Sequence, residues 1–285
     1  MADEDKYPDT ESGRRRFVKG VVGSAALAGV GTAGFAGVSL TTSPSGQGGG
    51  PTQYFGIENT DGPAPRGMPQ IPIRIDDEGY LVGRYPKVET TTQQGREVKV
   101  AREEIAGIVY SPDWFQFCGV QGYEGLDPEY EGDNYFRYAA NSGYEWQEQE
   151  VSAGDKVHVD DFSNYETWNN GIGTAGAGKP AMVTWRSQDT KNAIPVQVLR
   201  STKVSGLAND DQTNNAWIKE STEQGFVAWL NKCTHFCCVP GFKTTAQAAQ
   251  FGAANEVYCP CHQSVYDPFK IKKLSFVAYP RPEES

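Results

Sequence analysis

Five of the six cysteines and two of the three histidines fall within the 30 residues from Cys233 to His262. No other feature narrows the fold and chemistry of the chain as much. They form two blocks, Cys233-Thr234-His235-Phe236-Cys237-Cys238-Val239-Pro240-Gly241 and Cys259-Pro260-Cys261-His262-Gln263-Ser264-Val265-Tyr266-Asp267. Each block offers a thiolate and an imidazole two or three residues apart. Two thiolates and two imidazoles close a tetrahedral zinc site or ligate an iron–sulfur cluster, and disulfide bonding alone is a third outcome. A zinc site needs only four ligands. Here Cys238 and Cys261 stand beside them, one in each block.

The blocks follow short apolar runs. Ala181–Arg186, Ile194–Arg200, Gly225–Leu230, Asn255–Tyr258 and Ser275–Tyr279 predict five strands separated by turns, hence an antiparallel, all-β architecture. Alternation over Arg96–Val100 and Lys156–Val159 predicts two more strands. Asp113–Tyr144 is dense in aromatics and glycines and reads as a long ordered loop, part of an insertion from about residue 86 to 150. Residues 41–72, rich in Ser, Gly and Pro, read as a flexible linker, and Gly62-Pro63-Ala64-Pro65 is included in it. His158 lacks the second His, Cys and Met close downstream that a copper site needs, so it reads as an ordinary surface or packing residue.

The N-terminus carries a different signal. Arg14, Arg15, Arg16 and Lys19 precede Val21–Leu40, 20 residues without a charge. At 1.5 Å per residue that run spans roughly 30 Å, the thickness of bilayer hydrocarbon. Residues 1–20 are expected to be a cytoplasmic tail and residues 21–40 a single transmembrane helix. Residues 73–285 would then lie on the extracytoplasmic side. Arg14-Arg15-x-Phe17-Val18-Lys19 also resembles a twin-arginine export signal, with Gly13 where Ser is usual. The net charge is −10, and acids and bases balance within residues 1–40, so the excess lies on the remainder. Such a surface repels phosphate and argues against a nucleic-acid partner.

The pair C-T-H-x-x-C and C-P-C-H-x-S-x-Y-D closely resembles the Rieske iron–sulfur subunits of cytochrome bc-type complexes. With the doubled cysteine, acidic surface and export signal, it is similar to the haloarchaeal branch. The resemblance implies a Rieske-like antiparallel β-sandwich with cluster-binding loops at 233–241 and 259–269. It implies one [2Fe–2S] cluster per chain. Cys233 and Cys259 would hold one iron, and His235 and His262 the other. It further implies a Cys238–Cys261 disulfide, and hydrogen bonds from Ser264 to a bridging sulfide and from Tyr266 to the Cys233 sulfur. Cys118 and Cys237 are then left over, and a second disulfide between them is expected.

The implied function is electron transfer in a respiratory chain, as a subunit of a quinol–cytochrome c oxidoreductase. His262 would contact quinol and His235 would face the acceptor. The partners would be a cytochrome b, a c-type cytochrome or blue-copper acceptor, and membrane lipid. Two other assignments stay open: the Rieske subunit of an exported molybdenum oxidoreductase such as arsenite oxidase, and a zinc-stabilised binding module without redox activity. The chain departs from the family at Cys237 and Gln263, where glycine is usual. A left-handed backbone there would cost strain. The family's Gly-Pro-rich loop after the second block is not evident, and Pro280-Arg281-Pro282 is expected to cover the cluster instead.

Overall fold

The computed structural model describes residues 50–278, apart from 94–95, 113–114, 116–117 and 210–214. The export motif at Arg14 and Arg15, the apolar run Val21–Leu40 and the segment Pro280-Arg281-Pro282 lie outside the described residues. Within them the strands are β1 (Gly50–Asp61), β2 (Met68–Ile71), β3 (Ile73–Ile75), β4 (Leu81–Gly83), β5 (Val88–Gln93), β6 (Arg96–Ala101), β7 (Glu103–Ile105) and β8 (Ile108–Tyr110). They continue with β9 (Phe136–Tyr138), β10 (Lys179–Trp185), β11 (Ile194–Arg200), β12 (Phe226–Leu230), β13 (Gly241–Phe242), β14 (Val257–Cys259) and β15 (Ser264–Ala278). Three short helices accompany them: α1 (Glu145–Glu150), α2 (Thr202–Asn209) and α3 (Asn215–Ser221).

Nine strands form one curled antiparallel sheet in the order β13-β14-β15-β1-β2-β12-β11-β10-β9. Three hairpins, β3–β4, β5–β6 and β7–β8, form separate two-stranded sheets, and Ile73, Leu81, Ile105 and Tyr110 from them join the same core. The chain is therefore mostly β, with helices that the pattern of apolar runs did not predict. Among the described residues no helix is long and apolar enough to cross a membrane. All five residues of β12 are buried, as its unbroken apolar run Phe226-Val227-Ala228-Trp229-Leu230 requires between β2 and β11. Beside it, Trp217 of α3 stacks on Phe55 of β1 at 4.5 Å and donates to Gln70 Oε1 at 2.7 Å.

Three expectations are corrected. Residues 50–72 are not a flexible linker: β1 pairs with β15 from Gly50↔Ala278 to Asp61↔Val265, and β2 pairs with both β1 and β12. Buried Tyr54, Phe55, Ile57 and Met68 explain this, because their apolar surface is removed from water, each worth roughly 1.5–3 kcal/mol. Lys156–Val159 is not a strand: it makes isolated bridges through Lys156 and His158, and a short 3₁₀ turn begins at Val159. The His158 ring accepts from Asp160 N–H and so caps that turn. Finally, β9 falls inside the expected insertion but is the edge strand of the main sheet, paired to β10.

Candidate functional site

The two cysteine blocks meet at one end of the sheet. The first runs from the end of β12 to β13, and the second is the turn between β14 and β15. β13 pairs with β14 through Gly241↔Tyr258, and β14 with β15 through Cys259↔Ser264. Pairing of β13 with β14 therefore draws the two blocks side by side.

Each loop is pinched by its own backbone. In the first, Cys233 N–H donates to Cys238 O at 2.7 Å, and Cys237 N–H to Cys233 O at 3.1 Å. Asn231 closes the base by donating to Pro240 O at 2.9 Å. In the second, Gln263 N–H donates to Cys259 O at 3.0 Å. These turns need left-handed residues, and Cys237 (φ +64°) and Gln263 (φ +58°) supply them. Both are the positions where the Rieske pattern has glycine, so the strain anticipated from the sequence is present in the backbone.

Disulfides tie the loops. Cys238 is bonded to Cys261 with Cα atoms 6.7 Å apart, linking the first loop to the second. Cys118 is bonded to Cys237 with Cα atoms 5.3 Å apart, linking the first loop to the segment between β8 and β9. Lys232 Nζ donates to the Tyr123 hydroxyl and adds a second tie to that segment. Cys233 and Cys259 are left as buried free thiols. Although the sulfurs of Cys238, Cys259 and Cys261 cluster within 4.8 Å, the bridge removes two of the three as ligands.

The free thiols share a proton. Hydrogen bonds from the Cys259 thiol, the Tyr266 hydroxyl and the N–H groups of His235 and Phe236 hold Cys233 down to about 5, against the effect of burial. The same sharing, with burial, pushes the Cys259 thiol up. The Tyr266 hydroxyl lies 3.1 Å from Cys233 Sγ and accepts from Thr234 N–H at 3.2 Å. Its proton is available to the sulfur, and that hydrogen bond helps to keep Cys233 ionised. Burial and the adjacent thiolate raise the Tyr266 hydroxyl, so it remains a donor.

The two imidazoles lie 4.8 Å apart at nearly a right angle. His262 is exposed and His235 half-buried. His235 Nδ1 is buried without a hydrogen-bond partner. Phe236, 64% exposed, packs against both rings at 4.3 and 5.0 Å.

A third wall was missed. Gly62-Pro63-Ala64-Pro65 crosses both cysteine loops rather than lying in a tether. Ala64 N–H donates to Ser264 Oγ at 3.2 Å, and Thr234 Oγ1 donates to the carbonyl of Arg66 at 2.6 Å. Ser264 is fully buried and, as acceptor from Ala64, keeps its own proton for another partner. Gly62 (φ +82°) fits so closely that a Cβ there would stand 2.5 Å from Gln263 O. The four letters themselves were the signal; some 170 residues of intervening chain concealed it.

Thus the structure brings Cys233, His235, Cys259, His262, Cys238, Cys261, Ser264 and Tyr266 to one place, with Cys118–Cys237 at its flank. No family model, curated protein or solved structure matches the chain.

Proposed function

We propose that the chain is a Rieske-type iron–sulfur protein, carrying single electrons from quinol to a c-type haem or blue-copper acceptor as a subunit of a quinol-oxidising cytochrome b complex. The carrying observation is the lone Nδ1 of His235, buried without a partner in the same loop pair as two free buried thiols. A buried polar atom without a partner is costly unless something else takes its lone pair, and a metal is such a partner. Two available thiols and two imidazoles fit a [2Fe–2S] group bound half by sulfur and half by nitrogen.

Zinc would accept the same four donors. What favours iron–sulfur is the set of hydrogen bonds arranged for sulfur. Tyr266 donates to Cys233, and the buried Ser264 hydroxyl has its proton unspent. Once bound, such a group supplies one-electron chemistry at raised potential, because neutral imidazole replaces charged thiolate.

The side chains have separate tasks. Cys233 and Cys259 would hold one iron, and His235 and His262 the other. Tyr266 and Ser264 stabilise negative charge on sulfur. His262, the more exposed imidazole, would receive the quinol proton on its free ring nitrogen. Phe236 packs against both rings. In this reading the sheet is a Rieske-like sandwich on the extracytoplasmic side, and Val21–Leu40 anchors it in the cell membrane.

Iron analysis and EPR of the dithionite-reduced full-length protein test the proposal. About two irons per chain are expected, with the low-average-g signal of a mixed His/Cys-ligated cluster. Stoichiometric zinc with no such signal overturns it.

A further inference from the structure

Two disulfides meet at the first cysteine loop, and they differ in backbone. Cys118 (φ +56°) and Cys237 (φ +64°) both stand in the left-handed region, which only glycine enters without strain. Neither half of the Cys238–Cys261 bridge has a positive φ. While closed, the Cys118–Cys237 bridge holds two strained residues against each other. Once it is opened each backbone relaxes separately, so strain favours the open form of this bridge alone. Strained and exposed disulfides are the reducible ones, and Cys237 is exposed to solvent.

The open form also has its contacts in place. Cys118 Sγ lies 3.5 Å from Cys233 O, so a thiol released there has an acceptor. Val120 is fully buried, which keeps Cys118 near Cys237 for re-closure. The stretch that the bridge holds is short. From Gly125 onward the segment is fixed to the rest of the fold independently: Arg186 donates to Gly125 O at 2.6 Å and to Tyr130 O at 3.1 Å, and Tyr85 donates to Leu126 O at 3.0 Å. Residues 118–123 are tied to the first cysteine loop by the bridge and by the hydrogen bond from Lys232 to Tyr123.

We propose that Cys118–Cys237 is a thiol-exchange site, a reversible clamp that an external dithiol opens to release residues 118–123 from the first cysteine loop. A thiolate of the dithiol attacks Cys237 Sγ; the Cys118–Cys237 bond breaks, and its electron pair leaves on Cys118 Sγ, which takes up a proton. The second thiolate of the dithiol then displaces Cys237 Sγ, which is protonated in turn. The dithiol leaves as a disulfide, and two electrons and two protons have passed to the chain. None of this depends on which metal the site holds.

The full-length protein, equilibrated at graded ratios of reduced to oxidised dithiothreitol and then alkylated, reports each bridge separately by peptide mass spectrometry. Cys118 and Cys237 should become alkylated together, at a ratio at least about ten-fold lower than Cys238 and Cys261 require, equivalent to about 30 mV for two electrons. Amide hydrogen exchange on the same samples should rise at least about ten-fold at Gly122 and Tyr123, whose N–H groups donate within the released stretch, and stay unchanged from Leu126 to Tyr135. Cys118→Ser should show the fast exchange without reductant and no further response to it. Equal ratios for the two bridges, or opening of Cys238–Cys261 first, overturns the proposal. So does exchange at Gly122 and Tyr123 of the unsubstituted protein that ignores reduction of the bridge.

Discussion

Replacing Gly62 by Ala tests whether the Gly62–Pro65 segment is a built wall of the site. The residue sits at φ +82°, where a Cβ costs about 1 kcal/mol. The added atom also meets Gln263 O at 2.5 Å and Ser264 Cα at 2.7 Å. Both are backbone atoms and cannot rotate aside, so the two chains must part. Overpacking of this kind, with loss of the Ala64–Ser264 hydrogen bond, adds about 2 kcal/mol. The total, about 3 kcal/mol, lowers the melting temperature by about 6–12 °C for a domain of this size. Gly107 is the control. Its φ is +76°, but a Cβ there meets nothing within 4 Å. Gly107→Ala therefore carries only the conformational cost, a fall of about 2–4 °C. Thermal unfolding followed by circular dichroism reads both. Equal falls in the two variants would refute the close approach and return Gly62–Pro65 to a tether.

Other consequences follow from single contacts. Tyr266→Phe removes the hydroxyl 3.1 Å from Cys233 Sγ and is expected to lower the potential of the proposed cluster by about 40–60 mV, equivalent to about 1–1.4 kcal/mol for one electron; a redox titration showing no change would remove Tyr266 from sulfur tuning. Cys237→Gly and Cys237→Ala both break the bridge to Cys118 and free one thiol for titration. The Gly variant should melt higher, because only Gly takes φ +64° without strain. Lys179→Met leaves the Asp161 carbonyl and the Asn164 amide oxygen without their donor and should cost about 1–3 kcal/mol in urea unfolding. Burial holds the Lys179 ammonium below its solution value, so the unfolded chain binds that proton more tightly. Stability should rise with pH between the depressed and the ordinary lysine values, and the Met variant should lose that slope.

The local chemistry of the site was legible in the sequence; its long-range assembly was only partly so. Ligand spacing within Cys233–Gly241 and Cys259–Asp267 is a local property, and so are the strands at Ile194–Arg200 and Phe226–Leu230, whose apolar runs are continuous. Cys118–Cys237 spans a sequence separation of 119, but the count of unassigned cysteines pointed to it. The part played by residues 50–72 was hidden by composition. The Ser, Gly and Pro content of residues 41–72 made β1 look like a tether, yet the partner that makes it a strand is β15, at the other end of the chain. Nor could spacing reveal that Thr234 reaches the Arg66 carbonyl. Helices α2 and α3 were overlooked because short helices draw their stability mainly from packing, here Trp217 against Phe55.

β1 has a mechanical consequence. It enters the sheet at Gly50 and ends at Asp61, against the turn that walls the site. Twelve residues of extended chain reach about 40 Å, so the strand acts as a spar between the point where the preceding chain attaches and the two imidazoles. Its ladder with β15 is continuous from Gly50 to Ile57 and loads many hydrogen bonds at once in shear, with register shifts only near the site, at Ile57/Glu58 and Asn59/Asp61. A rotation of half a radian about Gly50 would carry the far end of β1, beside the second cysteine loop, through an arc of about 20 Å.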